Sequence, residues 1–197
     1  MGLRILAVLG ICLIIATASS AAAQNLDEFV HAKAYCIMDA DTGKVLSSMN
    51  PQLMLPPAST LKVGTALMVA SSLKMTDLVS VSCHAAAAPP SKLGIKAGET
   101  YTVEELLYAL LLKSANDAAR ALGERISGSE ERFACYMTSR LHQLGAYRTN
   151  FETASGLPAA GQYTTAQDLA LIFYKALQNP TLAKIMSTKS YTLMNGK

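Results

Sequence analysis

The chain has 197 residues, of which 51% are hydrophobic and 16% are charged, and its formal net charge is +3. This length and composition suit one globular domain with a sizeable core. A charge balance this small favours neither nucleic acid nor an acidic surface as a partner.

The first 23 residues have the pattern of a secretory signal peptide. Arg4 gives a positive start, residues 5–18 are apolar, and Ala21 and Ala23 fit a cleavage site before Gln24. The apolar run of about 14 residues is short for a membrane span, and an uncleaved N-terminal anchor is the alternative. We therefore expect residues 1–23 to be removed on export and residues 24–197 to form one domain.

The cysteine pattern does not point to a metal site. Cys36, Cys83 and Cys135 follow the signal peptide, and their spacing is not that of metal ligands. One disulfide could form after export, but the sequence does not determine its pairing. We favour the interpretation that all three are small, buried, apolar side chains.

The predicted elements begin with a β-hairpin. Residues 34–39 and 44–47 flank the turn Ala40-Asp41-Thr42-Gly43. Prolines at 51, 56 and 57 then mark a loop, and an apolar, buried helix is predicted over 59–73. A short strand is predicted at 79–82. Residues 85–98 are predicted to be irregular because prolines and a glycine interrupt them.

A helical block follows this irregular segment. Thr102-x-x-Glu105 is a capping box that starts a helix over 103–112. Helices over 117–126 and 130–144 come next, and Thr165-x-x-Asp168 caps another that ends at Asn179-Pro180. Residues 191–193 are predicted to begin a strand. Strands on either side of a helical block predict an α/β (α+β) fold in which a sheet packs against a helical layer.

Ser59-Thr60-Leu61-Lys62 places a serine and a lysine one helical turn apart, with Cβ atoms about 5–6 Å from each other. A serine hydroxyl becomes an effective nucleophile when a base takes its proton. A buried lysine can be that base, because desolvation lowers its pKa. At a helix start, the backbone N–H of Ser59 could also serve as an oxyanion donor.

Neither this tetrapeptide nor the later Ser114-Ala115-Asn116 is specific alone. Ser71-Ser72-Leu73-Lys74 and Ser48-Met49-Asn50 match the same patterns. Ser71 lies late in its helix, where its hydroxyl is expected to bond back to a carbonyl, and Ser48 precedes the lysine pair beside the hairpin. Order and context therefore favour Ser59, Lys62, Ser114 and Asn116.

These motifs belong to a longer ordered series. It comprises the hairpin over 39–46, Pro57-Ala58-Ser59-Thr60-Leu61-Lys62, residues 102–107 leading to Ser114-Ala115-Asn116-Asp117, Ser155-Gly156-Leu157-Pro158, and residues 163–170. Together they resemble the serine-type D-alanyl-D-alanine carboxypeptidases, which are low-molecular-mass penicillin-binding proteins. The resemblance covers most of residues 31–195. It implies a β-lactamase/transpeptidase-like fold, with an antiparallel sheet and a helical subdomain.

The resemblance also implies an activity. Ser59 would attack the carbonyl between the two terminal D-alanines of a peptidoglycan pentapeptide stem, and β-lactams would acylate it as substrate mimics. Lys62 would be the base, Ser114 would relay a proton to the leaving amine, and Asn116 would orient Lys62 and hold the substrate amide. No cofactor is implied. Such an enzyme would act in the periplasm or on the outer face of the cytoplasmic membrane; the oligomeric state is not implied.

Other polar residues receive plainer interpretations. Asp117 is interpreted as a helix N-terminal carboxylate favoured by the helix dipole. His31, His84 and His142 show no triad or metal pattern, and we interpret them as surface or packing residues.

The family's third motif, Lys-Thr-Gly or Lys-Ser-Gly, does not occur in the 197 residues. In the family, its lysine binds the substrate carboxylate, and a nearby N–H completes the oxyanion hole. Losing one such donor costs about 10²–10³ in rate. We therefore expect a truncated chain without its C-terminal strands, with poor folding and little activity. Detectable acylation of isolated residues 24–197 by a fluorescent penicillin would contradict that expectation.

Two alternative functions fit part of the same pattern. A class A β-lactamase shares the first two motifs and needs a later Glu, for which Glu152 is the acid in the right region. The loop at Ser155-Gly156-Leu157-Pro158 fits the carboxypeptidases better, and rapid penicillin turnover would favour the lactamase. A non-catalytic cell-wall-binding protein would keep its peptidoglycan binding after Ser59→Ala.

Overall fold

The computed structural model describes residues 30–193. The predicted signal peptide, residues 1–23, lies outside the described residues. The chain divides into two units, residues 1–32 and 33–197, and every element named below belongs to the second unit.

The described residues form the predicted mixed α/β fold, with two small antiparallel sheets. β1 (Tyr35–Met38) pairs with β2 (Val45–Met49), which confirms the predicted hairpin. Its turn is fixed by the Asp39 carboxylate, which accepts the backbone N–H of Thr42 at 2.7 Å. β3 (Leu78–Ser80) pairs with β4 (Thr100–Thr102), a strand that the sequence pattern did not predict.

Seven α-helices are present within residues 30–193. They are α1 (Lys62–Ser72), α2 (Cys83–Ala86), α3 (Val103–Leu112), α4 (Asn116–Ser127), α5 (Glu130–Gln143), α6 (Ala166–Leu177) and α7 (Pro180–Met186). The predicted helices correspond to α1, α3, α4, α5 and α6. The capping box predicted before α3 is confirmed, since Thr102 accepts the N–H of Glu105 and the Glu105 carboxylate accepts the N–H of Thr102.

Two local predictions are wrong, and the helix α7 was not predicted. Residues 85–98 are not wholly irregular, because Ser82 accepts the N–H of Ala85 and starts the one-turn helix α2. Pro180 begins α7 as well as following α6, since its fixed φ and missing N–H suit the first helical position. Residues 191–193 form no strand. Tyr191 instead stacks on Tyr108, with ring centroids 3.7 Å apart.

The core surrounds α1, which is buried on most sides as its composition predicts. α1 packs on α3, α4 and α5. The large, fully buried apolar side chains of these three helices are Leu106, Leu107, Leu110, Leu122, Phe133 and Met137. This packing draws the first residue of α1, Lys62, into the interior, where it is only 2% exposed.

The cysteines depart from expectation. Cys83 and Cys135 are exposed and Cys36 is half-buried, and all three are free thiols, so the interpretation as three buried side chains is wrong. Cys83 opens the one-turn helix α2, and Cys135 occupies an outward position of the amphipathic α5.

Residues 30–193 contain neither a metal-ligand cluster nor a membrane-spanning helix. No group of His, Cys, Asp or Glu side chains there could hold a metal ion. No helix in the same range is long and apolar enough to cross a membrane.

Candidate active site

Ser59 lies in a 3₁₀ turn, Ala58–Leu61, that leads directly into α1. The predicted helix start at Ser59 is therefore a tighter turn, and the α-helix begins at Lys62. Ala58 has a φ of 47°, an unusual conformation for a residue with a side chain. The turn exposes Ser59 to solvent while Leu61 and Lys62 are buried.

The structure brings Ser59 and Lys62 into contact. Lys62 Nζ donates to Ser59 Oγ at 3.1 Å and to the backbone carbonyl of Ser155 at 2.7 Å. Burial lowers the pKa of Lys62 to about 8. With that pKa, about a tenth of the amine is neutral at pH 7, so a base is available beside the hydroxyl.

The loop at residues 153–156 sits against both residues of this pair. Besides the Ser155 carbonyl on Lys62, the Ala154 carbonyl accepts the hydroxyl of Thr65 at 2.7 Å. Gly156 has a φ of 82°, and a Cβ built on it would lie 1.8 Å from the carbonyl oxygen of Ala58. The loop backbone thus packs directly on the turn that presents Ser59, a contact that the motif did not reveal.

Ser114 and Asn116 lie at the start of α4. Ser114 has a φ of 56° and is half-buried. The buried Asn116 donates its side-chain amide to the Pro89 carbonyl at 3.0 Å and its backbone N–H to the Ser91 carbonyl at 2.8 Å. No hydrogen bond among the described residues joins Ser114 or Asn116 to Ser59 or Lys62. The orientation of Lys62 by Asn116 stays a prediction, since here the Ser155 carbonyl holds the lysine.

Asp117 organises the loop opposite α4. Its buried carboxylate accepts the backbone N–H groups of Leu93, Gly94 and Ile95 at 3.0, 2.8 and 3.2 Å. It also accepts the N–H of Ala118 at 2.9 Å, as a carboxylate in the first turn of a helix should. Asp117 therefore has a structural role that extends beyond its own helix, which the sequence pattern did not indicate.

The competing motif positions have ordinary environments. Ser71 Oγ donates to the Met68 carbonyl at 2.9 Å, which confirms the predicted back-bond. The Glu152 carboxylate is exposed and accepts the amide of Asn150 at 2.7 Å. His142 contacts the Thr149 carbonyl at 2.7 Å, and the half-exposed His84 contacts Glu124 at 2.8 Å, so these histidines pack as interpreted.

Comparison with known proteins identifies the family of this chain. Residues 18–196 match the profile of the peptidase S11 family, D-alanyl-D-alanine carboxypeptidase. The chain is 36% identical over 189 residues to D-alanyl-D-alanine carboxypeptidase DacF of Bacillus subtilis, covering 91% of this chain and 49% of DacF. It is also 36% identical over 161 residues to DacB2 of Mycobacterium tuberculosis, covering 81% of this chain and 55% of DacB2.

Solved structures show the same fold. A D-alanyl-D-alanine carboxypeptidase from Mycobacterium tuberculosis aligns with a TM-score of 0.79 and 35% identity, over 84% of this chain and 64% of that structure. Penicillin binding protein 6B from Escherichia coli aligns with a TM-score of 0.79 and 32% identity, over 85% and 56%. The chain spans about half the length of the curated relatives it matches. By profile, identity and fold together, the chain belongs to the D-alanyl-D-alanine carboxypeptidase family.

Proposed function

We propose that this protein is a serine carboxypeptidase that removes the terminal D-alanine from peptidoglycan pentapeptide stems. The observation that carries the proposal is the Ser59–Lys62 pair, in which the hydroxyl of an exposed serine lies 3.1 Å from a buried amine. Burial lowers the pKa of that amine to about 8, so it can act as a base near neutral pH. β-Lactams would acylate the same serine, and the site needs no cofactor.

The proposed reaction is acyl transfer in two steps. Neutral Lys62 takes the Ser59 proton as Oγ attacks the carbonyl between the two D-alanines. The tetrahedral intermediate then breaks the peptide bond, and the leaving amine receives its proton through Ser114. Water hydrolyses the resulting ester, which releases the shortened stem and restores the Ser59 hydroxyl.

Two further groups belong to the proposed site. The Ser59 N–H lies in the first turn of its helix, where backbone donors have no partner within the helix, so it can stabilise the oxyanion. Asn116 would hold the substrate amide after giving up its bond to the Pro89 carbonyl. Because the substrate is cell-wall peptide, the protein would act outside the cytoplasm, in the periplasm or on the outer face of the membrane.

The direct test is turnover by a chimera that adds the part of a relative that this chain does not span. Residues 24–193 would be joined to the part of DacF beyond the matched segment, and D-alanine release from an acetylated peptide ending in D-Ala-D-Ala would be followed. We expect release that Ser59→Ala abolishes and that Ser71→Ala, the matched control, leaves unchanged. A chimera that unfolds cooperatively but releases no D-alanine would contradict the proposal. Rapid penicillin hydrolysis would favour a lactamase.

The rate of Ser59 acylation should rise with pH. Because the pKa of Lys62 is lowered to about 8, the neutral amine is the minor form at pH 7 and the major form at pH 9. We therefore expect penicillin acylation of the chimera to increase about tenfold between pH 6 and 7 and to level off above pH 9. Stopped-flow labelling across this range measures the profile, and a rate independent of pH between 6 and 9 would rule out Lys62 as the base.

A further inference from the structure

We infer that Glu130 is a positioning residue for Lys62, because its buried carboxylate fixes the loop whose Ser155 carbonyl receives the lysine Nζ. The inference rests on the proposed function, in which Lys62 is the base. It assigns a role to a side chain on α5, outside the motifs that identify the family.

Glu130 is the first residue of α5 and is only 5% exposed. Its Oε1 accepts the backbone N–H of Ala154 at 3.0 Å. Its Oε2 lies 2.8 Å from Arg120 Nε, in an ion pair whose angles are not those of a hydrogen bond, and 3.8 Å from His84 Nε2. Each carboxylate oxygen therefore has a different partner.

Glu130 does not serve as an ordinary helix cap. Ser129 is the N-cap of α5, and its hydroxyl accepts the N–H of Arg132 at 3.3 Å. The Glu130 carboxylate reaches across to a loop 24 residues further along the chain. A role limited to the end of α5 does not explain that contact.

The contact on Ala154 lies next to the contact on Lys62 along the loop backbone. The Ala154 N–H goes to Glu130, its carbonyl accepts the Thr65 hydroxyl at 2.7 Å, and the next carbonyl, of Ser155, accepts Lys62 Nζ at 2.7 Å. The loop is thus fixed between α5 on one side and α1 on the other. Without Glu130, the Ala154 N–H would be buried and unpaired, and the loop would relax away from Lys62.

The same carboxylate also contacts α4, the helix that begins with Asn116. Arg120 lies four residues after Asn116 on α4, so both side chains stand on one face of that helix. Through Arg120 on one oxygen and Ala154 on the other, Glu130 links the helix of Asn116 to the loop that holds Lys62.

The test uses Ser59→Cys, whose introduced thiol reports the position of Lys62 without any substrate. A nearby ammonium favours the thiolate, so this thiol should react with iodoacetamide at a lower pH than an ordinary exposed cysteine, and the exposed Cys83 serves as the internal alkylation reference. Peptide mass spectrometry separates the two thiols in one sample. Adding Glu130→Ala should move the pH midpoint of the introduced thiol up toward that of an ordinary exposed cysteine, and it should slow the alkylation of this thiol at pH 7 by about tenfold or more.

Two matched variants separate positioning from general damage. Glu130→Gln keeps an oxygen that can accept the Ala154 N–H, so it should restore most of the low midpoint of the introduced thiol. Glu131→Ala removes the exposed neighbouring carboxylate and should leave the midpoint unchanged.

The outcomes distinguish this inference from the proposed function. An ordinary thiol midpoint in Ser59→Cys alone would overturn the Ser59–Lys62 pair itself. A low midpoint that persists unchanged in a cooperatively folded Glu130→Ala variant would overturn the role of Glu130 alone. If Glu130→Ala fails to unfold cooperatively, the same midpoint measurement on Glu130→Asp tests the inference instead. Its shorter carboxylate should raise the midpoint in the same direction, and an unchanged midpoint would count against the inference.

Discussion

Replacing Lys62 by Met should lower the acylation rate of the chimera by about 10²–10⁴-fold, the usual contribution of a general base. Methionine has a similar length and no ionisable group, so it fills the buried space without supplying a base. The Ser155 carbonyl loses its donor, at a cost of about 1 kcal/mol. Removal of a buried amine offsets this cost, because burial already disfavours its charged form. The acylation rate should therefore fall steeply while the free energy of unfolding changes little.

Penicillin labelling and urea unfolding of the same samples check both halves of this prediction. Lys74→Met is the matched control, because Lys74 completes the second Ser-x-x-Lys pattern but is exposed. That control should label at the parental rate. A Lys62→Met protein that labels nearly as fast as its parent would show that the base is another group.

Replacing Gly156 by Ala should destabilise the domain by about 2–4 kcal/mol, the sum of about 1 kcal/mol of left-handed backbone strain and about 1–3 kcal/mol of overpacking. The added Cβ would lie 1.8 Å from the Ala58 carbonyl oxygen, so one of the two backbones must move. Because Ala58 precedes Ser59, that movement would displace the nucleophile as well. We expect lower stability together with slower labelling of Ser59.

Gly161→Ala isolates the contribution of the contact at Gly156. Gly161 has a similar φ of 79°, but the nearest atoms to an added Cβ would be flexible side-chain ends 3.7 and 3.9 Å away. Urea unfolding should show a loss of about 1 kcal/mol for Gly161→Ala, the strain alone. Equal losses at the two glycines would show that the approach to Ala58 has no energetic consequence.

Elements with strong local signals could be predicted from the sequence. The capping box at Thr102 and Glu105 fixes the start of α3 through bonds that span three residues, so a short window contains the whole signal. Strand β4 has only three residues, and its backbone groups find partners on β3, about twenty positions earlier in the chain. No periodicity can emerge over so short a segment. The apolar and aromatic residues at 191–193 resemble a strand in sequence, but Tyr191 packs on Tyr108 instead of joining a sheet.

In the candidate site too, contacts between residues close in sequence could be predicted and contacts between distant residues could not. Ser59 and Lys62 are three residues apart, so helical geometry alone brings them together. The second partner of Lys62 is the Ser155 carbonyl. Every residue has a backbone carbonyl, so no residue type in the sequence could indicate this contact. The Asp117 and Glu130 carboxylates likewise find their partners on distant loops. Such contacts depend on how the helices pack, which composition and spacing do not specify.

The contact between Lys62 and Ser155 has a consequence for biosynthesis. It joins positions 93 residues apart, and the Thr65–Ala154 bond beside it joins positions 89 apart. During translation, the segment with Ser59 and Lys62 is therefore synthesised long before the loop at residues 153–156 that packs against it. In the newly made chain, Lys62 is hydrated and burial has not yet lowered its pKa, so Ser59 has no effective base beside it. Ser59 therefore gains its base only when these long-range contacts close, so its reactivity reports that the loop at residues 153–156 has packed on α1.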